Sequence, residues 1–488
     1  MKAMRELATL MSLLALAAAS GCGGSSGSSD AQTPPPPQTG GISGIGSAIG
    51  PISTFGSVVV NGVHYDTSDS TFTIDGTSVT ESDLKVGQVV VVQGTISDDL
   101  ASGIADTVTT DDNVTGPVDS IDLALSQLVV MGQLVLVNAE TSFDDNISPA
   151  SLEGLVAGDI VEVSGFFTSG GDTEATRIEK KPAGTQLEVH GIVSGQNATN
   201  FMFAINGLQV DYSSATLNDF PSNQISDGDF VEAKGNSIGV GGELVADIVE
   251  LESTGINGNE GDHVEVEGLI TRFASETDFD VAGIPVTTNG ATVFVGGVAA
   301  DLGLNVKVEV EGELDASNVL VADKVDIRRG KVVRSVAVVD SVDAANNSLV
   351  MLGITFTIDE LTRLEDKSDA DIRPLTINDL NAGDYLEIRG TEFPAGSGQI
   401  QATILERDDP DTRTILQGFV ESVSNPTLTV LGVSIDTTGA VFRDLNNNVI
   451  SAAEFFNQVA VNSLIKARGT ETGDTMISAS EMELELEL

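Results

Sequence analysis

Leu155-Val156-Ala157-Gly158-Asp159-Ile160-Val161-Glu162-Val163-Ser164-Gly165 alternates branched apolar residues with polar ones between two glycines seven positions apart. The alternation is that of a half-buried strand, with Val161 and Val163 on one face. The same closing glycine recurs as Gly94, Gly165, Gly235, Gly312, Gly390 and Gly469. Seven residues before each stand Gly87, Gly158, Gly228, Asn305, Gly383 and Asn462, and only Gly and Asn occur there. These residue types enter the left-handed region at low cost, so a positive φ is expected where the chain turns into this strand. Each copy carries a turn glycine upstream: Gly62, Gly132, Gly207, Gly283, Gly353 and Gly432. Each also carries an alanine downstream: Ala105, Ala175, Ala246, Ala322, Ala402 and Ala479. A repeat of about 70 residues therefore fills the chain from residue 50 onward, and a repeated backbone requirement is what keeps it in register.

The order of elements within a copy points to the architecture. Asn61-Gly62 and Asn206-Gly207 sit between β-rich runs such as Phe203-Ala204-Ile205 and Leu208-Gln209-Val210, which predicts two-residue hairpins joining strands two and three. Between strands three and four, Ser451 with Glu454 and Thr376 with Asp379 have capping-box spacing, and Ser148-Pro149 offers an N-cap with Pro at N1. Strand, strand, strand, short helix, strand, strand is the order of the OB-fold, a five-stranded Greek-key barrel. An immunoglobulin-like sandwich needs about seven strands in ~100 residues and fits less well. The expected fold is all-β: a tandem array of six small OB-like barrels, each with a short helix between strands 3 and 4. The expected boundaries are 42–112, 113–182, 183–254, 255–330, 331–410 and 411–488.

The run Phe55-Gly56-Ser57-Val58-Val59-Val60-Asn61-Gly62-Val63, followed by Asp66-Thr67, resembles the opening of a recurrent bacterial domain of unknown function found in secreted lipoproteins. That domain's later signature, a leucine and then V-G-D-x-V-E-V-x-G, is echoed at Leu155 to Gly165 and again at Gly383-Asp384-Tyr385-Leu386-Glu387-Ile388-Arg389-Gly390. The departures are largest where Asn305-Val306-Lys307 and Asn462-Ser463 replace the Gly-Asp start. The resemblance implies an OB-like barrel and an envelope location; it carries no activity and no catalytic residue.

The first residues give an address. Lys2 and Arg5 precede the apolar run Leu7 to Ala19, too short to span a bilayer, and Ala19-Ser20-Gly21-Cys22 follows. Residues 1–21 read as a signal peptide, and the stretch before Cys22 resembles the bacterial lipobox, whose Cys receives the lipid. Cys22 is the single cysteine of the chain. Gly23 stands where inner-membrane lipoproteins typically carry Asp, so the resemblance implies anchoring in the outer membrane. Residues 22–41 combine Gly and Ser with Pro34 to Pro37, the composition of a tether.

Composition narrows the chemistry. With 23 basic and 73 acidic residues among 488, the net charge of −50 repels nucleic acid, while 41% hydrophobic residues suffice for packed cores. At ~100–200 residues per domain, this length also predicts several units. Aromatics make up 4% with no Trp, leaving little material for stacking platforms. His64, His190 and His263 occupy different places in different copies and read as ordinary surface or edge residues. No nucleophile elbow, zinc-helix motif or phosphate loop is present.

The expected class is therefore a non-enzymatic envelope lipoprotein, a structural or adhesive repeat array, with no catalytic residue and no resident cofactor. The alternative is a module that binds an envelope oligosaccharide or basic peptide on its OB-fold face. Calcium has two candidates. Asp444, Asn446, Asn448 and Glu454 resemble a calcium loop lacking its central Gly, and Asp408, Asp409 and Asp411 form an acidic knot between the last two copies. Repulsion among so many acids predicts an extended string of barrels whose dimensions divalent cations modulate.

Overall fold

In the computed structural model, the described residues are 48–97, 100–252, 256, 258–328, 332–392 and 397–485. The expected signal peptide, Cys22 and the expected tether lie outside them.

Strand-forming runs and two-residue turns build the first unit. Ala48–Thr54 pairs antiparallel with Val58–Val60, which turns at Asn61-Gly62 into Val63–Asp66. Val63–Asp66 then pairs parallel with the last strand, Ser102–Thr110. That strand pairs with Val89–Ile96, and Val89–Ile96 returns to Ala48–Thr54, closing a barrel in the order 1-2-3-5-4-1. This is the OB connectivity.

The same closure is made by five further units. Barrel 2 begins with Val114–Asp122 and ends with Thr173–Lys181. Barrel 3 runs from Leu187–Asn197 to Leu244–Leu251, and barrel 4 from His263–Ser275 to Leu320–Ile327. Barrel 5 runs from Val332–Asp343 to Gln399–Asp408, and barrel 6 from Thr414–Ser424 to Met476–Leu484.

The repeated glycines and alanines now have physical reasons. Each closing glycine lies opposite its alanine at a β-bulge, as Gly165 does with Ala175. A Cβ on Gly165 would stand 2.2 Å from the Glu174 carbonyl oxygen, so no larger residue fits the bulge. The residues seven positions earlier all have the expected positive φ, from 63° at Asn305 to 99° at Gly383. The hairpin pairs Asn61-Gly62, Met131-Gly132, Ala282-Gly283, Leu352-Gly353 and Leu431-Gly432 have positive φ at both positions, the backbone of type I′ turns.

The connection between strands three and four carries a single 3-10 turn in barrels 1, 2, 4 and 5 and the α-helix Ala452–Gln458 in barrel 6, whereas in barrel 3 the turn Pro221–Asn223 has Ser222 at a left-handed φ of 61°. The Ser451–Glu454 capping box of the α-helix forms as expected, and Asp379 accepts the Thr376 N–H at 2.9 Å in the corresponding turn of barrel 5. The Ser148-Pro149 start is displaced: Ser151, two residues after the proline, takes the N-cap position of the turn Leu152–Gly154 without a side-chain capping bond.

The extended string is not what the structure contains. The first strands pair across barrels, so the six barrels fuse two by two into three continuous sheets. Barrel 2 joins barrel 3 through Val189 opposite Val114, and barrel 5 joins barrel 6 through Ser335 opposite Leu416. Barrel 1 joins barrel 4 in parallel through Ile49 opposite Val266, skipping two units of the sequence. Hydrophobic cores run continuously through barrels 2 and 3 and through barrels 5 and 6. The core of barrel 4 takes in Ile49, Val89 and Val91 from barrel 1 and Phe166 from barrel 2. The described residues form one compact unit.

Candidate functional site

Along the fourth strand, residues facing away from a barrel's own core alternate with residues facing in. Three positions before the closing glycine, this outward side carries Val91, Glu162, Glu232, Glu309, Glu387 and Lys466. An outward charge would ordinarily meet water. Glu162, Glu232, Glu309 and Glu387 are instead buried, because another barrel or a connecting segment covers them. Burial of a carboxylate demands a partner, and each has one: Lys181 at 2.7 Å from Glu162, Lys234 at 2.6 Å from Glu232, Arg328 beside Glu309, and Arg334 at 2.8 Å from Glu387. The sequence did carry a signal for this layer, a charge repeated at one position of an otherwise apolar strand.

Barrel 2 is the hub. Its Arg177, fully enclosed, donates to the Val86 carbonyl of barrel 1 at 2.9 Å and to Glu365 of barrel 5 at 3.2 Å. In return, Arg363 of barrel 5 donates to the Glu140 and Thr176 carbonyls at 2.7 and 3.2 Å. Arg389 reaches the Thr141 carbonyl at 2.5 Å, and Lys367 the Phe143 carbonyl at 2.7 Å. Lys307 of barrel 4 meets the Glu140 carboxylate at 2.6 Å while lying over the Phe166 ring, and Arg468 of barrel 6 pairs with Glu153 at 3.1 Å. Lys307 holds the Glu140 carboxyl down at about 2, against the cost of burial.

Two places at these joints stand out. The first is a cleft of ≈ 530 Å³ between barrels 2, 5 and 6, lined by Arg334, Lys367, Arg389, Lys466 and Arg468 and by carboxylates including Asp145 and Asp408. Burial pushes both Asp145 and Asp408 up to about 6. The cleft is polar and mixed in charge. Its cations are already engaged with carboxylates, as Lys466 is with Glu485 at 2.5 Å and Lys367 with Glu406 at 2.9 Å. Such a lining suits polar contacts to a bound molecule better than it suits bond-breaking, which calls for a positioned nucleophile and base.

The second lies where barrels 1, 2 and 3 meet. Asp75, Asp112 and Glu162 bring carboxylate oxygens within 4.8 Å of one another, and Glu188, His190 and Glu232 form an adjacent group of the same size. Burial pushes Glu162 up to about 7 and Asp112 well above its usual range. His190 is not the surface residue its sequence position suggested. It is buried, with Nδ1 2.7 Å from the Asp112 carbonyl and Nε2 3.4 Å from Glu232. His64 is exposed and His263 opens a strand beside Glu265.

The residues singled out for calcium are placed differently. Asp444 accepts from the backbone N–H groups of Asn446 and Asn448 at 2.9 Å each, closing its own loop. Glu454 caps the helix through Ser451, and no group of three acids forms at either predicted place among the described residues. Asp409 accepts from the Asp369 N–H at 3.0 Å, Asp411 pairs with Arg413 at 3.6 Å, and Asp408 borders the cleft.

The family described as Domain of unknown function (DUF5666) matches residues 40–104, 115–179, 267–326, 336–406 and 417–483. The chain belongs to this family. Barrel 3, outside the five matches, closes in the same strand order as the rest. No curated protein matches the chain. Among solved structures, a deletion and point mutant of the single-stranded DNA binding protein from Thermus aquaticus aligns at 11% identity and a TM-score of 0.14, covering 32% of this chain and 95% of that one. At that score the likeness bears on neither fold nor ligand.

Proposed function

We propose that this protein is a non-enzymatic lipoprotein of the cell envelope, anchored in the outer membrane through a lipid on Cys22, whose six-barrel body is a rigid structural or adhesive platform. The supporting observation is where the scarce cations go. In a chain with 23 basic residues, Arg177, Arg363, Lys367, Arg389, Lys307 and Arg468 are all engaged in tying barrel 2 to its neighbours. Such a distribution favours a body that holds its shape over one that converges charged groups on a reacting bond.

A second reading has support in the cleft between barrels 2, 5 and 6, whose volume accommodates a short basic peptide or an oligosaccharide. Its surplus of carboxylates favours the peptide.

Lipid labelling and envelope fractionation test the first reading. Radiolabelled palmitate is expected to enter the wild type and not Cys22→Ser, and the wild type is expected to sediment with outer membrane. Equal labelling of the two would overturn the anchor. Capture from envelope extract with the body and with its Asp408→Lys variant tests the second: a partner lost in the variant supports binding in the cleft, and an unchanged capture contradicts it.

A further inference from the structure

We infer that Asp75, Asp112 and Glu162 form a binding site for an oxygen-ligated divalent cation that fastens barrel 1 to barrel 2. The three carboxylates come from separate segments. Asp75 sits in the turn between Thr71–Ile74 and Thr77–Val79, Asp112 in the link between the two barrels, and Glu162 on the fourth strand of barrel 2. Their oxygens lie within 4.8 Å of one another.

Asp112 carries the inference beyond a cluster of acids. Its side chain is 1% exposed, and neither carboxylate oxygen has a hydrogen-bond partner. The backbone around it is fully engaged. The Asp112 N–H donates to Asp75 Oδ1 at 3.0 Å and the Asp112 carbonyl meets His190, so the carboxylate is held facing Asp75 and Glu162. A buried carboxylate without a donor is costly, and two further carboxylates beside it raise the cost.

The neighbouring ammonium groups do not balance this. Lys181 bonds Glu162 at 2.7 Å and is shared with Glu179 at 3.0 Å. Lys234 lies against Glu232 at 2.6 Å and reaches Asp75 only at its carbonyl, 2.9 Å away. Three converging carboxylates with one shared ammonium fit a hard cation, and the absence of nitrogen or sulfur among the three donors selects calcium or magnesium over zinc or copper. Asp75 is only partly buried, so the trio is not sealed from solvent. The adjacent trio of Glu188, His190 and Glu232 differs in having an imidazole nitrogen among its three donors and Lys234 lying against Glu232 at 2.6 Å.

Calcium titrated calorimetrically into the full-length chain in detergent tests the site, with sodium at matched ionic strength as background. One saturable event and a raised melting temperature are expected in the wild type and in Asp444→Asn, whose acid lies in an exposed loop. Both responses are expected to vanish in Asp112→Asn and in Asp75→Asn. Asp112→Asn is also expected to melt above the wild type in chelator, because amide replaces an unpartnered carboxylate. If Asp112→Asn fails to fold, Asp75→Asn carries the comparison. No saturable binding in the wild type, binding undiminished in the foldable Asp112 and Asp75 variants, or binding lost in Asp444→Asn would each overturn the assignment.

Discussion

Gly132 and Gly207, the same hairpin position in barrels 2 and 3, meet backbone to backbone: a Cβ on either would come 2.9 Å from main-chain atoms of the other. Gly132 also has a φ of +72°, so two requirements coincide there. At Gly207 the close approach acts alone, since its φ lies outside the left-handed range while its neighbour Asn206 has a φ of 48°.

Gly207→Ala is therefore expected to lower stability by about 1–3 kcal/mol through overpacking of the joint between barrels 2 and 3. Urea unfolding of the variant against the wild type checks this; a neutral alanine would mean that the two hairpins do not touch in solution.

Gly158 is the complementary case, with a φ of +92° and no atom within 4 Å of an added Cβ. Gly158→Val is expected to cost ~1–2 kcal/mol from backbone strain alone. Gly158→Asn is expected to be far milder, because Asn305 and Asn462 hold the same position in barrels 4 and 6 with φ of 63° and 68°. Thermal unfolding of the pair separates conformational strain from packing.

The difference between these glycines marks how far sequence reading reaches. Backbone needs that repeat in every barrel, such as the bulge at Gly165 opposite Ala175, leave the same residue at the same spacing and are legible. Contacts between unlike partners leave no such trace: Ile49 pairs with Val266 across two intervening barrels, and neither residue departs from an ordinary strand pattern. His190 and Asp112 likewise lie in unremarkable local sequence and become a buried group only when three barrels meet. The expectation of an extended string failed for a related reason. It treated the charge of −50 as uniform, whereas many of the buried acids, Glu387 among them, meet Arg and Lys at the joints and the apolar cores cross between barrels.

Arg389 is buried, with Nε 2.5 Å from Glu387 and its guanidinium on the Thr141 carbonyl of barrel 2. Arg389→Ala leaves Glu387 with a weakened set of donors and uncovers a carbonyl, and is expected to cost about 3–5 kcal/mol. Because barrel 2 contacts the other five, the loss should lower one cooperative transition rather than melt barrel 5 alone, which calorimetry distinguishes.

Two carboxyls give opposite pH dependence. Burial raises Asp408 to about 6, so ionising it in the folded state is unfavourable, and its penalty develops as pH rises from the unfolded value toward 6. Asp408→Asn is expected to stabilise the protein above that range and to matter little below about pH 4. Glu140 is held down at about 2 by Lys307, so its contribution is full above the unfolded value of about 4.3 and is lost as pH falls toward 2. Glu140→Gln is expected to lower stability at neutral pH and to flatten the acid limb. Melting temperature against pH for the two variants checks both signs.

Small-angle scattering of the fragment lacking residues 1–41 tests the central claim, that five barrels pack around barrel 2 as a single body. A globule of that length has a radius of gyration of about 22 Å, and the account predicts a value close to it that does not grow as salt is lowered. A radius roughly twice as large, swelling at low ionic strength, would contradict it and restore the extended string.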